Sequence, residues 1–238
     1  GKKQYVDVLS LQSAIENRFL RTYEYNLYPV NLSQKFLNLK ESNKNAKLIW
    51  EEFSRMKRQL APEIAIKTLQ SKARVLVYTG PKIDHAVEII SQMQTLWNRK
   101  QSLPTVFKKM TGRENAIQRK NIIRDFTSGL TQSLVAIMVL DEGVDLPICD
   151  AAVMCRSNAK YRQWVQRRGR VLRKKDPSDT SKALVIDFIL NLTTFSAEMQ
   201  NKLNETYTSE VKRMLEFGGS SERMIDDLQQ EMISLGWN

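Results

Sequence analysis

Leu134–Leu140 reads LVAIMVL, and Asp141–Pro147, directly after it, reads DEGVDLP. A short apolar run without alternation, followed by a polar turn containing Gly143, predicts a strand buried on both faces of a parallel sheet. Open α/β sheets place ligands beyond the carboxyl ends of their strands, so the turn is a candidate site. Gly143 permits a tight turn there, and Asp145 can accept hydrogen bonds from a hydroxyl or a guanidinium, or simply cap the loop. Asp141-Glu142 at the end of such a strand also has the look of a magnesium-binding acidic pair. That reading needs a phosphate loop upstream, and none of the nine glycines completes a G-x-x-x-x-G-K-[ST] or G-x-G-x-x-G pattern.

Working outward, comparable runs occur at Arg74–Thr79 (RVLVYT), Thr105–Met110, Ala151–Met154 and Ala183–Phe188 (ALVIDF). Helical spacing separates them. Ile83, Ala86, Val87, Ile90, Met93 and Trp97 form one predicted stripe, Ile122, Ile123 and Phe126 a second, and Tyr161–Val171 is the span of a third. Strands alternating with helices predict an α/β domain over about residues 71–190. Both flanks read as helical: Ala46, Ile49, Trp50, Phe53 and Leu60 before the domain, and Ile225, Leu228, Met232 and Leu235 after it, with Gly218-Gly219-Ser220-Ser221 as a break.

The 238 residues are 42% hydrophobic, enough for one large domain or a domain with an appendage. Thirty-seven Lys and Arg against 26 Asp and Glu leave a formal charge of +11, which favours a polyanionic partner, nucleic acid or an anionic membrane. No apolar run approaches the roughly 18 residues of a membrane span, and no signal-peptide core opens the chain. The expected location is therefore intracellular: cytoplasm, nucleoid or nucleus. Two cysteines and one histidine exclude a disulfide scaffold, make zinc or a Ser-His-Asp centre poor candidates, and leave no metal site to predict. His85, Cys149 and Cys155 are expected to have no catalytic role.

Charge is uneven. Residues 156–190 carry ten basic and three acidic groups, whereas 191–238 carry four and eight. The basic run contains Gln166-Arg167-Arg168-Gly169-Arg170-Val171-Leu172-Arg173. On a helix Gln166, Arg170 and Arg173 fall at i, i+4 and i+7, so an amide and two guanidiniums share a face. Guanidiniums so placed suit a phosphate that gains charge in a transition state. They equally suit a nucleic-acid backbone, and a solvated helix face is the plain alternative. Spacing does not choose among these. A peripheral membrane role is disfavoured because the run lacks a companion aromatic stripe.

Together, DEGVDLP and QRRGRVLR, about twenty residues apart, resemble motifs V and VI of superfamily 2 helicases, in the manner of XPB-type DNA helicases and related phage and bacterial translocases. VLVYTGPKIDHAVEI is similar to the motif IV strand and helix, MTGRENAIQRKNIIRDFTSG to the next strand, loop and helix, and ALVIDF to the closing strand. FLRTYEYNLYPVNLS, residues 19–33, is similar to the crossover between the two motor lobes. The resemblance covers about residues 15–190.

It implies an α/β fold: a RecA-like lobe whose mainly parallel sheet is flanked by helices, with a helical N-terminal crossover (1–70), the lobe itself (71–190) and an acidic helical tail (191–238). By position it also implies that Arg170 and Arg173 are catalytic, reaching the γ-phosphate across an interlobe cleft. Gln166, Gly143 and Asp145 would lie on the nucleotide side. Thr79, Thr111 and Ser157 would touch the nucleic-acid backbone, and Arg113 and Arg156 join them by charge and position. The implied cofactor is ATP with Mg2+, bound mainly by a first RecA-like lobe that these residues do not contain. The implied partners are DNA rather than RNA, and that first lobe. Without it the chain is expected not to turn over ATP. Ile137 stands where a threonine often precedes the motif V glycine, which removes one expected backbone contact. The competing expectation is a nucleic-acid-binding module without catalysis. For the acidic tail, packing on the lobe, docking a partner and repelling DNA all stay open.

Overall fold

A computed structural model describes residues 11–100, 106–137, 149–155, 171–174 and 176–238. Six strands, all parallel where they pair, form one sheet: β1 (Tyr23–Val30), β2 (Val75–Tyr78), β3 (Phe107–Met110), β4 (Ser133–Ala136), β5 (Ala151–Met154) and β6 (Ala183–Leu190), in the spatial order β1-β6-β5-β2-β4-β3. The central strands β2, β4, β5 and β6 are buried along their whole length, as unbroken apolar runs require of a sheet covered on both faces. The four runs read as strands at Arg74, Thr105, Ala151 and Ala183 all appear, within one or two residues of their described ends. The pairing strand of the decisive run is Ser133–Ala136, Ile137 follows it, and 138–140 lie outside the described residues.

Tyr23–Val30 was not among the predicted strands, yet β1 pairs with β6 from Tyr23↔Ala183 to Val30↔Leu190. It lies at an edge and alternates accordingly, with Tyr23, Tyr25 and Leu27 inward and Glu24, Asn26 and Tyr28 outward. Pro29 is tolerated because an edge strand can spare one donor.

The described helices are α1 (Leu11–Glu16), α2 (Gln34–Leu37), α3 (Asn43–Thr68), α4 (Ile83–Lys100), α5 (Ala116–Thr127), α6 (Ala197–Gly218) and α7 (Ile225–Ser234). Local chemistry sets their starts. The Ser42 side chain accepts from the Asn45 N–H, Ser196 from the Met199 N–H, and Asn115 with Gln118 forms a reciprocal capping box. The chain steps from β2 past β4 to β3 and then back to β4, and the right-handed rule for such connections assigns α4 and α5 to opposite faces. In α4 the buried stripe is Ala86, Ile89 and Met93, whereas Val87 is 46% exposed. The predicted stripe held Val87 and omitted Ile89. The true one is rotated, because α4 is pressed by α3 as well as by β3 and β4.

The acidic tail packs on the lobe. Phe217 of α6 sits 5.1 Å from the rings of both Tyr23 and Tyr25. Tyr207 stacks on Trp50 of α3 at 3.7 Å, and the Trp237 indole N–H donates to the Leu190 carbonyl at 2.7 Å. Beneath this contact lies a buried polar cluster. The Arg213 guanidinium donates to Asp187 of β6 at 2.6 Å and to Glu210 at 3.0 Å, and the Tyr25 hydroxyl donates to the same Asp187 oxygen at 3.2 Å. Burial works against the charge on Arg213, but Asp187 and Glu210 outweigh it and hold the guanidinium firmly protonated. Burial, reinforced by Asp187, pushes the Tyr25 phenol well above its ordinary value. Removing one member of such a pair strands the other in the core. Arg213→Met should therefore cost about 3–5 kcal/mol in urea unfolding, far more than an exposed Lys→Met change on the same helix.

Candidate functional sites at the two rims of the sheet

Hydrogen bonds at the strand ends arrange the candidate residues. At the carboxyl rim the Thr79 N–H donates to the Ala136 carbonyl (2.9 Å), the Ile137 N–H to Met110 (3.1 Å) and the Cys155 N–H to Tyr78 (2.9 Å). Thr79 and Thr111 thus lie at the ends of β2 and β3, on either side of Ile137 after β4. Thr79 is 1% exposed, and its hydroxyl has no hydrogen-bond partner among the described residues. Ile137, where the resemblance expects a threonine, is buried and apolar and brings no side-chain donor to this row.

Beyond Thr111 the chain turns through Gly112, whose φ of +86° is the left-handed conformation that glycine adopts freely. The turn is held by Glu114. Its carboxylate accepts the Thr111 N–H (2.9 Å), the Gly112 N–H (2.8 Å) and the Thr111 hydroxyl (2.9 Å). Partial burial alone would raise its pKa, but these hydrogen bonds together with its own backbone N–H prevail and hold it below the ordinary value of 4.5. Arg113 is exposed, and beside it a groove of about 620 Å³ runs along edge strand β3, lined by Lys108, Lys109, Arg113, Glu114, Gln118 and Asn121 among others.

The amino rim is organised by Arg21, whose side chain is wholly buried. It donates to the Ser181 hydroxyl (3.1 Å) and to the carbonyls of Val171 (2.7 Å) and Cys149 (2.5 Å), with Asp150 and Asp179 at 3.8 and 3.9 Å. Its own N–H donates to Leu172 at 2.7 Å, and Leu20 and Arg173 form an antiparallel bridge. The segment that follows Arg170 is therefore fixed to the chain just before β1. Arg173 is exposed on this rim, separated from the threonine row by the length of a four-residue strand, about 13 Å.

The structure thus brings Thr79, Thr111 and Arg113 to one end of the sheet and Arg173 to the other. Gly143, Asp145, Arg156, Ser157, Gln166 and Arg170 lie outside the described residues, as does most of the predicted Tyr161–Val171 helix. Cys149 and Cys155 are buried, and burial pushes both thiols up to about 12, which removes them as nucleophiles at neutral pH. Among the described residues no group of three or more His, Cys, Asp or Glu could hold a metal ion, and no helix is long and apolar enough to cross a membrane. Two residues that sequence reasoning missed organise the rims. Glu114 carried a local signal, Thr-x-x-Glu, which is the pattern of a reciprocal cap. Arg21 carried none, because its side-chain partners are 128 to 160 positions away.

Residues 54–175 match the family described as the helicase conserved C-terminal domain. A 72-residue stretch is 39% identical to the DNA 3'-5' translocase XPB2 of Sulfurisphaera tokodaii, covering 30% of this chain and 16% of that protein. The chain thus spans about a sixth of the length of this curated relative. Among solved structures, the ATP-dependent Type ISP restriction-modification enzyme LlaBIII bound to DNA is similar over 94% of this chain and 15% of its own (TM-score 0.53, 16% identity). T4 UvsW is similar over 79% and 40% (TM-score 0.52, 17% identity). At these identities the two structures speak for the fold.

Because Glu114 is held below its unfolded value, its contribution to stability is full above about pH 4.5 and is lost as the pH falls through the depressed folded value. Glu114→Gln should flatten that acid limb in denaturation measured between pH 3 and 6, and leave the curve above pH 6 parallel to the parent.

Proposed function

Because this chain belongs to the helicase conserved C-terminal domain family, we propose that it is the second RecA-like lobe of an ATP-dependent superfamily 2 DNA helicase or translocase, active only with a first lobe. Three segments divide the work: residues 1–70 as crossover, 71–190 as motor lobe and 191–238 as an acidic tail that braces it. The observation that carries the reading is the separation of the two rims. The arginine-bearing segment is pinned at one end of the sheet by Arg21, and the threonine row stands at the other. One lobe can then face a nucleotide and a strand at once without the two competing for the same groups.

ATP with Mg2+, held mainly by the first lobe, supplies the phosphoryl-transfer chemistry, and planar guanidiniums fit its phosphate oxygens. In this chain Arg170 and Arg173 would hold its γ-phosphate side, with Gln166, Gly143 and Asp145 adjoining. Loss of that hold would let the lobes open, and Thr79, Thr111, Arg113, Arg156 and Ser157 would be the groups that meet a phosphate backbone as they alternate. DNA is favoured over RNA because XPB2 is a DNA translocase and LlaBIII is bound to DNA. The site of action is inside the cell and does not involve a membrane. A second reading, a binding module without catalysis, is favoured by one observation: the 238 residues hold no phosphate loop.

Nucleic-acid-stimulated ATP hydrolysis decides between them. The chain alone should be inactive, and the chain joined to its first lobe active. Arg170→Ala and Arg173→Ala should each lower kcat by about 10³-fold or more while DNA affinity changes by less than about threefold, and Arg→Lys should not restore the rate. DNA binding without arginine-dependent hydrolysis in the joined protein would establish the binding module instead.

A further inference from the structure

The turn after β3 holds an anion already. The N–H groups of Thr111 and Gly112 are successive donors, and left-handed Gly112 turns them toward a common point, the concave backbone arrangement that binds anions. The Thr111 hydroxyl is a third donor to the same place. All three are taken by the two oxygens of Glu114, at 2.8 to 2.9 Å. This is the donor set that a phosphate oxygen would use, filled by a carboxylate of the chain itself.

The surroundings favour an external anion independently. The groove beside the turn is open, and it is lined by Lys109 and Arg113, for which no ion pair exists among the described residues. Lys108 in the same groove is matched by Asp125 at 2.5 Å. Two uncompensated cations thus stand next to a carboxylate that spends its charge on backbone donors rather than on them. Glu114 is also not needed there to start α5, which carries its own cap in Asn115 and Gln118.

We propose that Glu114 is a resident competitor for the phosphate site at the end of β3: it occupies the Thr111–Gly112 donors in the free lobe and gives them up to a phosphodiester of a bound strand, which Lys109 and Arg113 then flank. The proposal rests on the reading of this rim as a nucleic-acid contact. It makes strand engagement an exchange of one anion for another, so the turn is preorganised before the strand arrives and unproductive phosphates are bound weakly. Its depressed pKa agrees with a carboxylate that is well solvated by these donors and must be displaced as an anion.

The test is fluorescence-anisotropy titration of a labelled single-stranded oligonucleotide with the whole chain. Glu114→Gln should tighten binding by about 3- to 10-fold and steepen the salt dependence by about one phosphate contact, a slope change near −0.7. Asp84→Asn, which removes an exposed acid from the first turn of α4 near the same rim, controls for charge alone and should give a smaller gain. Thr111→Val added to Glu114→Gln should abolish most of the gain. In parallel, inorganic phosphate should raise the Tm of Glu114→Gln and leave the parent unmoved. A measurement on the parent protein needs no variant: saturating oligonucleotide should move the carboxyl titration midpoint of Glu114, read by ¹³C NMR, up toward its ordinary value.

Unchanged or weaker binding by Glu114→Gln, a gain no larger than that of Asp84→Asn, or an unmoved Glu114 midpoint in the bound parent would each overturn the proposal and leave Glu114 as a turn cap. If neither parent nor variant binds the oligonucleotide, the nucleic-acid reading of the rim fails. The phosphate arm still decides the nest: a Tm rise confined to Glu114→Gln upholds it and no rise rejects it.

Discussion

Asp187 lies in the middle of β6, covered on both faces, and carries a charge that the core cannot solvate. An isolated carboxylate there would cost far more than the fold can spare, so the structure supplies Arg213 from α6, with Tyr25 of β1 and Glu210 completing the cluster. One electrostatic requirement thereby ties together an edge strand from the beginning of the chain, an inner strand and the acidic tail. The tail can no more leave the sheet than Arg213 can leave Asp187. Lys57 of α3, buried near the same cluster with its ammonium 4.5 Å from the Phe53 ring, has its pKa lowered by burial and partly offset by Asp187 and Glu210. The region is a polar knot in an otherwise apolar layer, held by ion pairs and hydrogen bonds rather than by apolar contact alone.

From that fixed sheet the two rims follow. Parallel strands present all their carboxyl ends on one side, so Thr79, Ile137, Thr111 and Cys155 come into a row without further contrivance. At the opposite side the loops between strands converge, and Arg21 satisfies the carbonyls of Cys149 and Val171 and the Ser181 hydroxyl at once. The threonines at the ends of β2 and β3 therefore stand at one rim, and the segment pinned by Arg21 stands at the other. Formal charge is divided as well: the basic excess peaks in residues 156–190, whereas the tail that packs on the sheet is acidic.

Much of this was legible in the linear chain. VLVY, AAVM and ALVIDFIL could only be strands of a covered sheet, because unbroken apolar runs between helical patterns have no other stable place. The α3 and α7 stripes and the glycine break between α6 and α7 were equally plain. The α4 stripe is legible at Ala86 and Met93 but not at Val87, because Val87 and Ile89 are both apolar and only the direction from which α3 presses decides which is buried. Tyr23–Val30 alternates as an edge strand should, but its period competes with the crossover role that its neighbours suggested.

What the sequence determined by itself is the class of the protein: strand and helix periods, the motif pair at Asp141–Pro147 and Gln166–Arg173, and the missing phosphate loop all follow from local order along the chain. Only the tertiary structure decided which groups act together. Arg21 meets Val171 and Ser181, and Asp187 meets Tyr25 and Arg213, across separations of 26 to 162 residues. Ion pairs and hydrogen bonds of this kind leave no periodic trace, because their geometry is set by how the sheet orders its strands and not by spacing in the sequence.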